Sequence, residues 1–320
     1  GVPAHGAARW NGASWAGVGN GAAAYLFTPY ALAAFDRGHG PELHTGGTLW
    51  PVGGVALGVA RLEGAHWSEL GRGPGGPVQA LLPVELGGTG QLYAAGHFAT
   101  MGGVGARNVA LWNGSKWSAL GSGTSSGPDR NSASVYALAL HDDGGGADLY
   151  AGGDFEGAGG VFAKGIARWD GASWSAVGGG FHGYGRALQT FDDGSGAALY
   201  MGAELVPASR WNGTSWATLS SGMNGAVYAL AVFDDGSGPA LHAAGAFTDA
   251  GGVTVNHVAR WTGAGWAALA SGTLTTVRAL AVFDDGTGPA LYAASERSAA
   301  TGFVALLSRW NGTDWSSVGS

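Results

Sequence analysis

Apolar residues run through this chain in short alternating bursts, each broken after a few positions by glycine, aspartate or asparagine. The clearest stretch is 225–270. AVYALAVF (226–233) alternates around small alanines, DDGSGP (234–239) has the composition of a tight turn, and ALHAAGAF (240–247) resumes the alternation. A glycine-rich loop, TDAGGVTVN, leads to HVARW (257–261), and the turn TGAG returns the chain through WAALA (266–270). Period-two runs separated by turn residues predict four short antiparallel strands joined by tight connections.

The last two of these strands bracket a turn with aromatic residues, and that arrangement recurs. Its copies are WNGASW, LEGAHW, WNGSKW, WDGASW, WNGTSW, WTGAGW and WNGTDW, beginning at Trp10, Leu62, Trp112, Trp169, Trp211, Trp261 and Trp310. Successive starts lie 52, 50, 57, 42, 50 and 49 residues apart, a period that signals repeated supersecondary units rather than two unrelated domains. The first strand of the unit is built from small residues: Ala-Leu-Ala recurs at 31–33, 137–139, 229–231 and 279–281. Small side chains on the first strand and tryptophans on the third and fourth describe a wedge. Wedges that cover one another's apolar faces around an axis make an all-β fold, a β-propeller of four-stranded antiparallel blades.

Seven outer hairpins face only six inner ones, which begin near Ala31, Ala80, Ala137, Ala187, Ala229 and Ala279. Residues 1–320 are therefore expected to form a single propeller domain, with 1–21 as the outer hairpin of an incomplete blade and 22–320 as six full repeats. A lone hairpin carrying two tryptophans would aggregate if left uncovered, so seven blade positions are favoured over six.

The repeat resembles the Kelch type. YAGGDF (150–155) followed by ARWDGASW (167–174) carries the glycine pair that ends strand two and the aromatic spacing across strands three and four; HTGGTL (44–49) also keeps both glycines. YAAGHF and HAAGAF keep the second glycine, YMGAEL keeps one in a shifted place, and YAASER has lost both. The resemblance implies a propeller and leaves activity open, since Kelch-like propellers include oxidases, isomerases, adaptors and lectin-like modules. The galactose-oxidase branch requires a cysteine crosslinked to tyrosine and is excluded, because the chain has no cysteine.

Composition narrows the partners. A net charge of -7, with Lys116 and Lys164 the only lysines, argues against nucleic acid. No apolar run approaches the ~20 residues of a membrane-spanning helix. Zero cysteines exclude disulfides and thiolate metal sites without settling the compartment; an extracellular or periplasmic location is expected.

Residues common to all repeats read as structural, and those that differ at one equivalent place as functional. The arginine before the first tryptophan (Arg9, Arg61, Arg168, Arg210, Arg260 and Arg309) is expected to stack on aromatics or pair with acidic turns. The sequons at Asn113, Asn212 and Asn311 read first as hairpin turns, since Asn-Gly suits a tight reversal. The FDDG-type turns read as solvated acidic loops, because none has the spacing of a calcium loop with its closing glutamate.

Two equivalent positions vary. After strand two stand Thr48, His97, Asp154, Glu204, Ala246 and Glu296; before the Ala-Leu-Ala of strand one stand Tyr30, Gln79, Tyr136, Arg186, Tyr228 and Arg278. Both are expected at the same end of adjacent inner strands, around the axial mouth where propellers hold ligands. His182, in the loop before the fourth repeat, is placed to join them.

Two chemistries suit this rim. Tyr30, Gln79, Tyr136, Arg186, Tyr228, Arg278 and His182 could bind a carbohydrate or small anion, making the chain a ligand-binding or interaction module. Alternatively His97, Asp154, Glu204 and Glu296 could hold a divalent metal, calcium or zinc, for a metal-dependent hydrolase. A third reading is a structural fragment of a longer repeat protein that pairs with another chain through the incomplete blade.

Overall fold

The computed structural model describes residues 7–18, 25–36, 40–51, 57–71, 73, 75–86, 89–127, 132–299 and 302–319. These are strands and turns without a helix, so the expected all-β class holds. Six four-stranded antiparallel sheets follow one another along the chain. Sheet 1 contains Tyr25–Asp36, Pro41–Pro51, Leu57–Glu63 and His66–Glu69. Sheet 2 contains Val78–Leu86, Thr89–Gly96, Val109–Trp112 and Trp117–Ala119. Sheet 3 contains Ser134–Asp142, Ala147–Asp154, Ile166–Trp169 and Trp174–Ala176. Sheet 4 contains Gly185–Asp192, Ala197–Ala203, Ser209–Trp211 and Trp216–Thr218. Sheet 5 contains Val227–Asp234, Pro239–Gly245, Val258–Trp261 and Trp266–Ala268. Sheet 6 contains Val277–Asp284, Pro289–Ala299, Gly302–Trp310 and Trp315–Ser317.

In all six sheets the strands are ordered as in the chain, the meander that the alternation predicts. The N-terminal hairpin, Ala8–Trp10 with Trp15–Gly17, forms a separate two-stranded sheet; 1–6 and 19–21 of the expected incomplete blade lie outside the described residues.

One expectation is corrected. The glycine-rich segment after strand two is a small hairpin, not an open loop, in three repeats. Thr100–Met101 pairs with Val104–Gly105, Gly157–Ala158 with Val161–Phe162, and Asp249–Ala250 with Val253–Thr254. Its reversal uses consecutive left-handed glycines, such as Gly251 and Gly252 at φ 63° and 83°, a conformation closed to residues with a Cβ except at a cost. Sheet 6 has no such pair, and its second and third strands run on to Ala299 and Gly302.

The chain divides into two compact units, one of residues 1–139 and 148–180, the other of 140–147 and 181–320. Sheets 1 and 2 in the first unit, and sheets 4, 5 and 6 in the second, stack on one another through their first strands. The resulting cores repeat position by position. Between sheets 1 and 2 lie Phe35, Leu70, Val78, Leu92, Ala94, Trp112 and Trp117. Between sheets 4 and 5 the equivalents are Phe191, Leu219, Val227, Leu241, Ala243, Trp261 and Trp266. Between sheets 5 and 6 they are Phe233, Leu269, Val277, Leu291, Ala293, Trp310 and, partly buried, Trp315. The repeat in sequence is thus a repeat of interfaces: in sheets 2, 5 and 6 the tryptophan pair is covered by the phenylalanine and leucine of the preceding sheet. Leu92, Leu241 and Leu291 are fully buried, and truncating any of them to alanine would cost about 2–5 kcal/mol.

Candidate functional site

In five of the six sheets the end that carries the variable residues is shaped by a β-bulge. In sheets 1, 2, 4, 5 and 6 the register of strands one and two slips at one residue, and those residues are Tyr30, Gln79, Arg186, Tyr228 and Arg278. They are five of the six strand-one positions singled out by their variability; the sixth is Tyr136, in sheet 3. A bulge leaves one residue unopposed and re-aims its side chain. The second glycine of the pair that ends strand two lies across from it. A Cβ on Gly47, Gly96 or Gly245 would lie 2.2, 2.2 or 1.9 Å from the carbonyl oxygen two residues before the bulge, and one on Gly153 in sheet 3 would lie 2.1 Å from that of Ser134. This close backbone approach is the reason for that glycine. Sheets 4 and 6 have Ala203 and Ser295 there, and these are the two sheets whose bulge residue is arginine.

In the second unit the rim residues engage one another. Arg186 donates from Nε to Glu204 Oε2 at 2.9 Å and from a terminal nitrogen to the same oxygen. Arg278 donates to Glu296 Oε1 at 3.1 and 3.0 Å. Its guanidinium carbon also sits 4.6 Å from the centre of the Tyr228 ring, a cation–π contact from sheet 6 to sheet 5. Ala246 stands where the neighbouring sheets have glutamate. His182 is exposed, in a turn anchored by Phe181, whose ring packs edge-on against Trp216 at 5.4 Å.

In the first unit Tyr30 is 55% exposed. His97 is also exposed, and its Nδ1 donates to the Ala133 carbonyl at 2.8 Å, with Ser134 Oγ at 3.5 Å. Asp154 ends strand two of sheet 3 and Gln79 and Tyr136 lie on first strands, at the expected end. Among the described residues no three histidine, aspartate or glutamate side chains converge as metal ligands. Two members of the proposed metal set, Glu204 and Glu296, are instead neutralised by arginine.

The opposite end of the sheets explains the acidic turns. In the FDDG-type turns the first aspartate accepts two backbone N–H groups, as Asp192 does from Gly194 and Gly196 at 2.9 Å each and Asp234 from Gly236 and Gly238 at 2.8 and 2.9 Å. The second aspartate joins a side-chain network. Asp193 accepts from Ser195 Oγ at 2.5 Å and from the Tyr200 hydroxyl at 2.8 Å; that hydroxyl accepts from Arg210 Nε at 3.2 Å. Asp285, Thr287, Tyr292 and Arg309 repeat the arrangement, with the hydroxyl at 2.9 Å from Asp285 and 3.1 Å from Arg309 Nε. Burial by itself would raise the Asp193 pKa, but the bonds from Ser195, Tyr200 and Trp261 outweigh it and hold the group down to about 2. Burial, then the bond to Asp193, pushes the Tyr200 hydroxyl well above its ordinary range.

Arg210 and Arg309 thus pair with acidic turns, whereas Arg61 pairs with Glu42 and Glu63 and Arg168 with Asp148. The repeat with Leu111 in place of the arginine lacks the second aspartate, and so does the first repeat, whose turn has Arg37 there although Arg61 is kept. The Asn-Gly turns are structural in the same way: Asn212 Oδ1 accepts from Thr214 and Ser215 N–H at 2.9 and 2.8 Å, and Asp170 does the same in its copy.

Comparisons with known proteins show the fold alone. No family model matches the chain, and no curated protein matches it. Among solved structures it is similar to the computationally designed Ika8 protein, with TM-score 0.50, 16% identity, and 91% of this chain against 72% of that one. It is also similar to the extracellular domain of a putative hybrid two-component system from B. thetaiotaomicron, with TM-score 0.54, 12% identity and 95% of this chain. A second structure, of the same extracellular domain described as a putative one-component system, gives TM-score 0.54 at 12% identity over 94% of this chain. This chain spans only 34% of the length of that domain.

Among the described residues no helix is long and apolar enough to cross a membrane.

Proposed function

We propose that the sheets are blades of a Kelch-like β-propeller and that the bulge-lined end is its ligand-binding face, most suited to carbohydrate. Stacking of consecutive sheets through their narrow first strands supports the propeller. The observation that carries the ligand reading is the run Tyr228–Arg278–Glu296, joined across two sheets by ring contact and ion pair. An arginine beside a glutamate offers donors and acceptors together, which matches neighbouring sugar hydroxyls, and an adjacent aromatic ring offers an apolar face for a pyranose. A free small anion is served less well, because both arginines already face carboxylates. Similarity to an extracellular domain supports an extracellular location for this chain as well. The test is binding of the purified chain to a panel of immobilised glycans. Binding that Tyr228→Ala and Arg278→Ala each weaken at least tenfold supports the reading; binding unchanged in both refutes it.

The free face of sheet 6 favours a second reading. Phe283 and Val282 are 50% and 44% exposed, whereas the equivalent Phe233 is 5% exposed beneath sheet 6. Such a face would accept another sheet of the same type, from a second copy of the chain. Sedimentation would show a dimer that Phe283→Asp dissociates; a monomer at all concentrations sinks this reading.

A further inference from the structure

We propose that sheet 5 encloses one ordered water molecule at His242, in the place that a tyrosine hydroxyl fills in sheets 4 and 6. The three sheets are internal controls for one another. His242 pairs in register with Arg260, as Tyr200 does with Arg210 and Tyr292 with Arg309. The rest of the network is kept. Asp235 accepts from Ser237 Oγ at 2.5 Å, and Arg260 donates from a terminal nitrogen to the same Ser237 Oγ at 2.7 Å. What is missing is the hydroxyl. In sheets 4 and 6 it accepts from arginine Nε and donates to the second oxygen of the aspartate. The shorter imidazole does not reach that place, and Arg260 Nε and His242 Nε2 are both buried without a partner.

The chemistry of the occupant follows from the groups around it. His242 is completely buried, and its Nδ1 lies 3.1 Å from the Ala240 carbonyl. A carbonyl only accepts, so Nδ1 carries the proton and Nε2 of the neutral ring is an acceptor. Arg260 Nε is a donor and the Asp235 carboxylate an acceptor. The occupant must therefore accept once and donate twice, which is the capacity of a water molecule. The carboxylate disfavours an anion there, and the guanidinium disfavours a metal ion. Leaving these buried groups unmet costs more than the entropy of holding one water. An approximately 340 Å³ cleft lined by Ser237, Pro239, Ala240 and Arg260 of sheet 5, together with residues 191–194 of sheet 4, gives water a route to the site.

The test is a crystal structure of the wild-type chain at about 1.2 Å, with magnetic relaxation dispersion of water oxygen in solution. The expected result is one fully occupied oxygen within hydrogen-bond distance of His242 Nε2, Arg260 Nε and the Asp235 carboxylate. His242→Tyr is expected to remove it and to lower the number of long-lived buried waters by one. His242→Phe, which adds the ring without the hydroxyl, is expected to be less stable than His242→Tyr. A crystal structure in which His242 Nε2 or Arg260 Nε contacts another protein atom directly, with no water between, overturns the proposal whether or not the variants fold. An unchanged water number in a folded His242→Tyr variant overturns it equally.

Discussion

Replacing Tyr200 with phenylalanine deletes a single oxygen and isolates the energetic role of the Asp–Tyr–Arg network. Tyr200 is completely buried, so the ring stays packed and little cavity is created. Two hydrogen bonds disappear, at 2.8 Å to Asp193 and 3.2 Å from Arg210. Both partners are charged, and bonds to charged groups contribute about 1.5–3 kcal/mol each. The Arg210 loss is softened, because its terminal nitrogen keeps Ser195 at 2.9 Å and the Gly196 carbonyl at 3.2 Å. The Asp193 loss is not, since that side chain is only 8% exposed. Tyr200→Phe should therefore lower stability by about 2–3 kcal/mol, read as a shift of the urea midpoint by tryptophan fluorescence. Tyr93→Phe is the matched control: Tyr93 is buried in the same register but faces Leu111, so its loss should stay below about 1 kcal/mol. The acid limb gives a second reading. A carboxyl depressed from 3.8 to about 2 adds stability that is complete above the first value and lost as pH falls through the second. Without the tyrosine hydroxyl that loss should be smaller and should be complete at a higher pH, its onset still set by the unfolded chain. A Tyr200→Phe cost below about 0.5 kcal/mol, or one equal to that of Tyr93→Phe, would refute the network as a source of stability.

Three further outcomes follow from the same geometry. Burial, the larger effect, lowers the His242 pKa from 6.5 to about 4, so the unfolded chain takes up a proton first as pH falls; stability should drop between those values by up to about 3 kcal/mol, and a flat profile there would contradict the burial of the ring. Gly245→Ala places a Cβ 1.9 Å from the Ala226 carbonyl and should cost about 2 kcal/mol or more in a urea titration, whereas Ala203→Gly at the equivalent place in sheet 4 should change stability by less than about 1 kcal/mol. Asn212→Ala removes the acceptor of two backbone N–H groups and should cost about 1 kcal/mol by thermal melting, while Asn212→Asp should be tolerated because Asp170 already fills that role.

Local chemistry made much of this protein legible from its residues. Alternation, Asp-Gly and Asn-Gly turns and the near-fifty-residue period specify strands, hairpins and their order, because strand and turn preferences act over a few positions. The variable rim positions were also visible, since repeats within one chain serve as one another's reference. Three features were decided only by tertiary structure. The bulge at Tyr30, Gln79, Arg186, Tyr228 and Arg278 is a slip between two paired strands, and neither strand encodes it alone. The pairing of Glu204 with Arg186 and of Glu296 with Arg278 depends on side-chain direction at that slip. The Asp–Tyr–Arg network joins a turn to two different strands, and its members, only 7 and 10 residues apart in sheet 4, meet only when the strands pair. Covalent neighbours determine which strand a residue joins; what it touches there depends on register and packing, which arise between strands.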